Sequence, residues 1–106
     1  MSSHQPPEDV VRAAQRAVAW IDDGKAGSGF TDTGRTRAHQ LADREDVPED
    51  DIKRMQQYFR RHAVDRDTEG FHHGEDGYPT AGRVAWDAWG GDAGRDWVSR
   101  QKFQDL

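Results

Sequence analysis

The sequence predicts a small all-α domain, a compact bundle of four or five short helices with two long glycine-rich loops. Apolar residues recur at helical spacing in separate segments, and helix-start and helix-stop residues flank those segments. No segment shows the two-residue alternation of a strand. The 106 residues leave room for one modest core. We therefore expect a single helical domain over residues 8–106, preceded by a flexible tail over residues 1–7.

The first helix is expected from about Glu8 to Asp22. Its two leading acidic residues follow Pro7, a composition typical of the positive end of a helix dipole. Gly24 is expected to end the helix. One face carries the apolar residues Val10, Ala14, Ala17, Val18 and Ile21.

The middle of the chain has the residue order of a helix–turn–helix unit. A glycine-rich loop is expected over residues 24–36, then a short helix over 36–44 and a longer one over 48–64. The longer helix is amphipathic. Its apolar side carries Ile52, Met55, Phe59 and Ala63, and its basic side carries Lys53, Arg54, Gln57, Arg60 and Arg61.

The last third begins with a second loop over residues 65–79, followed by helices over about 81–89 and 92–103. Apolar residues of the first of these helices spread over about 200° of its circumference, which is wider than one core-facing stripe. Either the helix is buried on two sides, or Trp86 lies in an exposed patch that meets a partner; two-sided burial is hard to achieve in so small a domain, so we expect the exposed patch.

Composition narrows the possible functions. The net charge of −5 argues against a general polyanion binder, and the absence of cysteine excludes disulfides and thiolate metal sites. No apolar run is long enough to cross a bilayer and no basic-then-apolar leader opens the chain, so we expect a soluble protein without a membrane partner. The preference for Asp over Glu and for Arg over Lys is associated with GC-rich genomes and salt-adapted hosts.

Nucleic-acid binding through the basic side of the third helix is the alternative function. The residues available for phosphate contact are Lys53, Arg54, Arg60 and Arg61. The first turn of that helix, however, carries the three carboxylates of residues 49–51, which would repel phosphates. A solvated helix face explains the same pattern, so nucleic-acid binding is expected to be weak.

A metal-assisted hydrolase is the third and least favoured function. It would use His62, His72 and His73. His72 and His73 are adjacent, so their side chains point apart in extended chain, and no second histidine motif follows. The glycine-rich loop lacks the order of a phosphate-binding loop. We expect no catalytic residue, no metal site and no cofactor.

Two motifs carry a resemblance to a known group of proteins. They are RM-xx-[FY]F-x-RH-xx-D at residues 54–65 and GYP-[ST]-AGR-[VI]-AW-xx-WGGD at residues 77–92. Residues 24–98 around them resemble a small domain of tailed-phage and prophage proteins, which occurs alone or appended to head-morphogenesis polypeptides. The resemblance implies a viral or prophage setting, in the cytoplasm of a prokaryotic host or in the virion. It transfers no catalytic residue, and members of the group are more basic in the middle than this chain.

The leading hypothesis is a non-enzymatic structural or assembly module that acts by protein–protein contacts, including self-association. The residues expected to meet the partner are Trp86, Arg54, Arg60 and Arg61.

Overall fold

A computed structural model describes residues 2–106 and confirms the all-α prediction. Within those residues the helices are α1 (Glu8–Asp22), α2 (Asp32–Ala42), α3 (Glu49–His62), α4 (Ala81–Ala88) and α5 (Gly91–Val98). Short 3₁₀ segments follow α3 at Ala63–Asp67 and α5 at Gln101–Phe103. Two strands of two residues each, β1 (Ser3–His4) and β2 (Val47–Pro48), form an antiparallel pair.

Helix α1 is the central element of the bundle and packs against α2, α4 and α5. It runs over the predicted range, and its expected apolar face is buried apart from the half-exposed Val18. Among residues 2–106, no helix combines the length and apolar character needed to span a membrane.

The N-terminal segment, predicted to be a flexible tail over residues 1–7, packs against the domain at residues 3–6. Ser3 and His4 pair with Pro48 and Val47, and Pro6 is buried. A His4 ring nitrogen lies 3.1 Å from a carboxylate oxygen of Glu49 at the start of α3. A two-residue strand carries no alternation, so the sequence pattern could not reveal this pairing.

Helix α2 begins at Asp32, four residues earlier than predicted. The Thr31 hydroxyl accepts a hydrogen bond from the Gly34 amide at 3.1 Å, which is the role of an N-cap residue. The glycine-rich loop is shorter accordingly. Helices α2 and α3 follow each other as in a helix–turn–helix unit, but α2 packs mainly on α1 and α4, whereas α3 packs mainly on α5.

Helix α3 buries its predicted apolar side with one exception. Ile52, Met55 and Phe59 are buried, but Ala63 is exposed because the helix gives way to a 3₁₀ segment after His62, which changes the rotation per residue. Close packing on α5 requires a small residue there: a Cβ atom at Gly94 would lie 3.3 Å from the Phe59 ring.

Trp86 is in the core, so the prediction of an exposed patch around it is wrong. Its side chain is 1% exposed, and its ring centroid lies 4.9 Å from that of Phe59 and 5.8 Å from that of Phe71. Its indole nitrogen donates a hydrogen bond to Asp92 at 3.0 Å. Burial on two sides is possible because the loop before α4 folds back and supplies Phe71.

The last helix also differs from the prediction, since it ends at Val98 rather than near Phe103. Arg100 has extended backbone dihedral angles, which interrupt the helix. Phe103 is nevertheless buried, because the following 3₁₀ turn returns it to the core.

Replacement of Phe59 by Ala tests the core assignment. Phe59 is 3% exposed, so we expect the free energy of unfolding to fall by about 3–5 kcal/mol. The control is Val64→Ala, since Val64 is 72% exposed and its loss should change stability by no more than about 0.5 kcal/mol. Urea denaturation measures the free energy of unfolding of both variants. A similarly small decrease for the two would contradict the assigned inner side of α3.

Candidate binding groove

A groove of about 610 Å³ opens between the start of α2, one side of α3 and one side of α4. This volume lies in the range of ligand and side-chain pockets. Much of its wall consists of residues with little or no side chain, which leave space for an occupant. These small residues are Ala26, Gly29, Gly34, Ala81, Gly82 and Ala85.

Helix α3 contributes a polar and aromatic side to the groove. Arg54, Tyr58, Arg61 and His62 line it, together with Gln57. They recur at i, i+3, i+4, i+7 and i+8, so they share one side of the helix. This side is next to the core-facing one, and therefore one helix serves both the core and the groove.

Three stacked rings form the wall between α3 and α4. The Tyr58 ring lies 4.5 Å from the Trp89 ring with 4° between their planes, and 4.4 Å from the His62 ring with 26° between planes. Two nearly parallel rings at these distances cannot fit side by side on one face of a phenol. Trp89 and His62 therefore cover the two faces of Tyr58, and the Arg37 guanidinium lies 5.1 Å from the centre of the Trp89 ring.

The Tyr58 hydroxyl contributes no acid–base chemistry to this wall. It is buried and has no hydrogen-bond partner among residues 2–106. Burial raises the pKa of Tyr58 well above its ordinary value, and the nearby carboxylates of Asp65 and Asp87 raise it further. The phenol is therefore neutral at every physiological pH and acts as an apolar surface rather than as an acid or a base.

An ion-pair network orients one cation at the edge of the groove. The Asp51 carboxylate accepts a hydrogen bond from the Arg54 guanidinium at 2.9 Å. It also lies 3.1 Å from the buried Arg37 guanidinium. Burial works to raise the pKa of Asp51, but hydrogen bonds from Arg37, Gln40 and Arg54 outweigh it and hold the pKa below its ordinary value. Asp51 is thus ionised at neutral pH and pairs with the exposed Arg54.

The structure brings together only part of the predicted partner-binding set. Arg54 and Arg61 line the groove, whereas Lys53 and Arg60 are exposed outside it and Trp86 lies in the core. Within residues 2–106, no carboxylate lies within ion-pair distance of Lys53, Arg60 or Arg61.

The three histidines of the hydrolase hypothesis have separate structural roles. His62 lies in the groove, 3.1 Å from an Asp65 carboxylate oxygen. His72 contacts the Arg66 carbonyl at 3.0 Å through its ring, and His73 packs edge-on against Tyr78 at 5.3 Å. In the described part of the chain, no three histidine, aspartate or glutamate side chains are grouped in a way that could hold a metal ion.

Sequence reasoning missed Trp89 and Phe30 as residues of the groove. Tyr58 and His62 could have been predicted to line the groove, because they are four residues apart and adjacent to Arg54 and Arg61 on the helical wheel. Phe30 could not have been predicted to line the groove, because it belongs to a glycine-rich stretch without periodicity.

Comparisons with protein-family models, curated proteins and solved structures found no match to this chain. The resemblance to phage and prophage proteins therefore stays a prediction.

Proposed function

We propose that this protein is a non-enzymatic binding module that captures a segment of a partner polypeptide in the groove between α2, α3 and α4. The observation that carries the proposal is the combination of a rigid aromatic wall, small-residue walls and guanidinium groups at the edge. Such a mixture of apolar surface and a few polar groups is typical of pockets that receive an anchoring side chain.

The covered aromatic rings favour a side chain over a nucleic-acid base as the occupant. Single-stranded nucleic acids bind by stacking bases on open aromatic faces. Both faces of Tyr58 are occupied by Trp89 and His62, and Trp89 already carries Arg37 as a neighbour. Tyr58 therefore offers no open face on which a base could stack, and the small residues of the groove suit an aliphatic side chain.

An exposed apolar residue extends this surface. Val64 is 72% exposed and lies in the chain between His62 and Asp65, which both line the groove. A peptide that leaves the groove at this end can cover Val64 and remove its apolar surface from water.

A binding role also fits the polar residues of the groove better than catalysis does. His62 and Asp65 form a hydrogen-bonded pair of the kind that orients a general base. Catalysis by a side-chain nucleophile would need that group within hydrogen-bond distance of the other ring nitrogen of His62, and no such contact occurs among residues 2–106.

The partner can be another component of an assembly or a second copy of the chain. The two sequence motifs resembling phage and prophage proteins support an assembly role in the cytoplasm of a prokaryotic host or in a virion.

Filling the groove should abolish capture. A displayed library of random linear peptides should yield binders to the wild type. Ala85→Trp should abolish binding of the selected peptides, because the new indole occupies the space beside Tyr58. Gly82→Leu is a second filling variant, and a Cβ atom at Gly82 has no neighbour closer than 3.7 Å. The control is Ala19→Trp on the exposed side of α1.

Circular dichroism verifies that each variant stays folded. Peptides that bind both filled variants as tightly as they bind the wild type would contradict the proposal, as would a library without any wild-type binder.

Nucleic-acid binding is the second candidate, and the unpaired cations Lys53, Arg60 and Arg61 favour it. Two features of α3 weaken this candidate. Arg54 is neutralised in part by Asp51, and the exposed Asp50 adds a negative charge at the same end of the helix.

We expect weak duplex binding that is lost at moderate salt. Four cations on α3 could give a slope of log K against log salt of at most about −4. Asp50→Asn should strengthen the binding without changing the fold, because Asp50 makes no ion pair within residues 2–106. Fluorescence anisotropy with a labelled duplex measures both effects, and tight binding at physiological salt would favour this second candidate over the first.

A further inference from the structure

We infer that the groove selects an acidic segment, in which an aliphatic side chain is flanked by carboxylates that meet Arg54 and Arg61. The inference rests on the proposed function and adds the chemistry of the partner.

The two arginines stand on nearly one line of α3. They are seven residues apart, a separation that returns to within about 20° of the same direction and spans about 10 Å along the axis. In an extended peptide, alternate side chains point to opposite faces, so carboxylates on one face are two or four residues apart, about 7 or 13 Å. Two carboxylates with either spacing can reach both guanidinium groups, because the long arginine side chains cover the difference of about 3 Å while the intervening chain crosses the wall of Tyr58.

Both guanidinium groups have donors free for such contacts. One terminal nitrogen of Arg54 bonds to Asp51, and no other hydrogen bond of Arg54 occurs among residues 2–106. Arg61 has no carboxylate at ion-pair distance in the same part of the chain. An arginine carries five N–H donors and binds carboxylates in a two-point geometry, which gives stronger hydrogen bonds than neutral groups do.

The acidic residue of the groove limits where the carboxylates of the occupant can lie. Asp65 lines the groove beyond His62, on the far side from Arg54. Like charges repel, so a bound segment should carry no further carboxylate beyond the one that meets Arg61, at the end of the groove where Asp65 lies. The apolar part of the segment then lies against Ala85 and the ring edge of Tyr58.

The negative net charge of the chain works against the binding of acidic peptides. At −5, the protein as a whole repels acidic peptides at long range. A preference for acidic ligands must therefore come from local contacts with the groove and cannot arise from the average field of the surface.

Matched synthetic peptides provide the test. Peptides selected from the random library should be enriched in Asp and Glu, and the amide analogue of each, with Asn for Asp and Gln for Glu, should bind roughly tenfold more weakly to the wild type. Arg61→Gln should remove most of that difference. Arg60→Gln should preserve it, because Arg60 is a neighbouring exposed arginine that does not line the groove. Isothermal titration calorimetry measures the affinities.

The possible results distinguish failure of the inference from failure of the proposed function. Selected peptides that bind equally well in carboxylate and amide forms overturn the inference and leave the proposed function standing. Failure of the wild type to select any peptide overturns both. An equal effect of Arg60→Gln and Arg61→Gln assigns the acid preference to the whole basic side of α3, as expected for nucleic-acid binding, and also overturns the inference.

Discussion

The stacking of Tyr58 between Trp89 and His62 is the interaction on which the groove depends. It joins α3 to the end of α4 and holds open the space between these helices and the start of α2. Each aromatic pair contributes about 0.5–1.5 kcal/mol beyond burial of its area. The buried hydroxyl without a partner costs about 1–3 kcal/mol, so the stacking must offset a real penalty. A phenol fixed in this way is a preformed wall, and binding need not order it.

Trp86 in α4 and Trp89 directly after it have different roles, one in the core and the other beside the groove. Trp86 fills the core against Phe59 and Phe71, whereas Trp89 is half-buried beside the groove. Their separation by three residues turns them to adjacent sides of the helix. The wide apolar surface of α4 is thus explained within one chain, because α3 and the preceding loop cover one part and the groove borders the other.

Helical periodicity predicted what local patterns can encode and failed where distant segments meet. The extents of α1 and α4 and the burial of Phe59 follow from spacing and helix-start residues, which are local properties. The burial of Trp86 depends on Phe71, fifteen residues earlier in a loop whose sequence has no period. The pairing of Ser3 with Pro48 is equally long-range, and two residues cannot show an alternation.

Of the sixteen residues that line the groove, the sequence selected only two as partner-binding residues. Arg54 and Arg61 were selected from the basic side of α3, and the structure separates them from Lys53 and Arg60, which the charge pattern alone treats as equivalent. The start of α2 was hidden, because the glycines around it suggested a loop and masked the cap formed by Thr31.

The most direct measurement of the central claim is a titration of the ¹⁵N-labelled protein with a selected acidic peptide, followed by amide chemical shifts. If the groove is the binding site, the shifts should be largest at Gly34, Gln57, Gly82 and Ala85, which line three sides of it. Arg12, Gln15 and Ala19 on the exposed side of α1 should not move. Shifts centred on α1, or on Lys53 and Arg60 with none at Gly82 and Ala85, would place the binding surface elsewhere and contradict the claim.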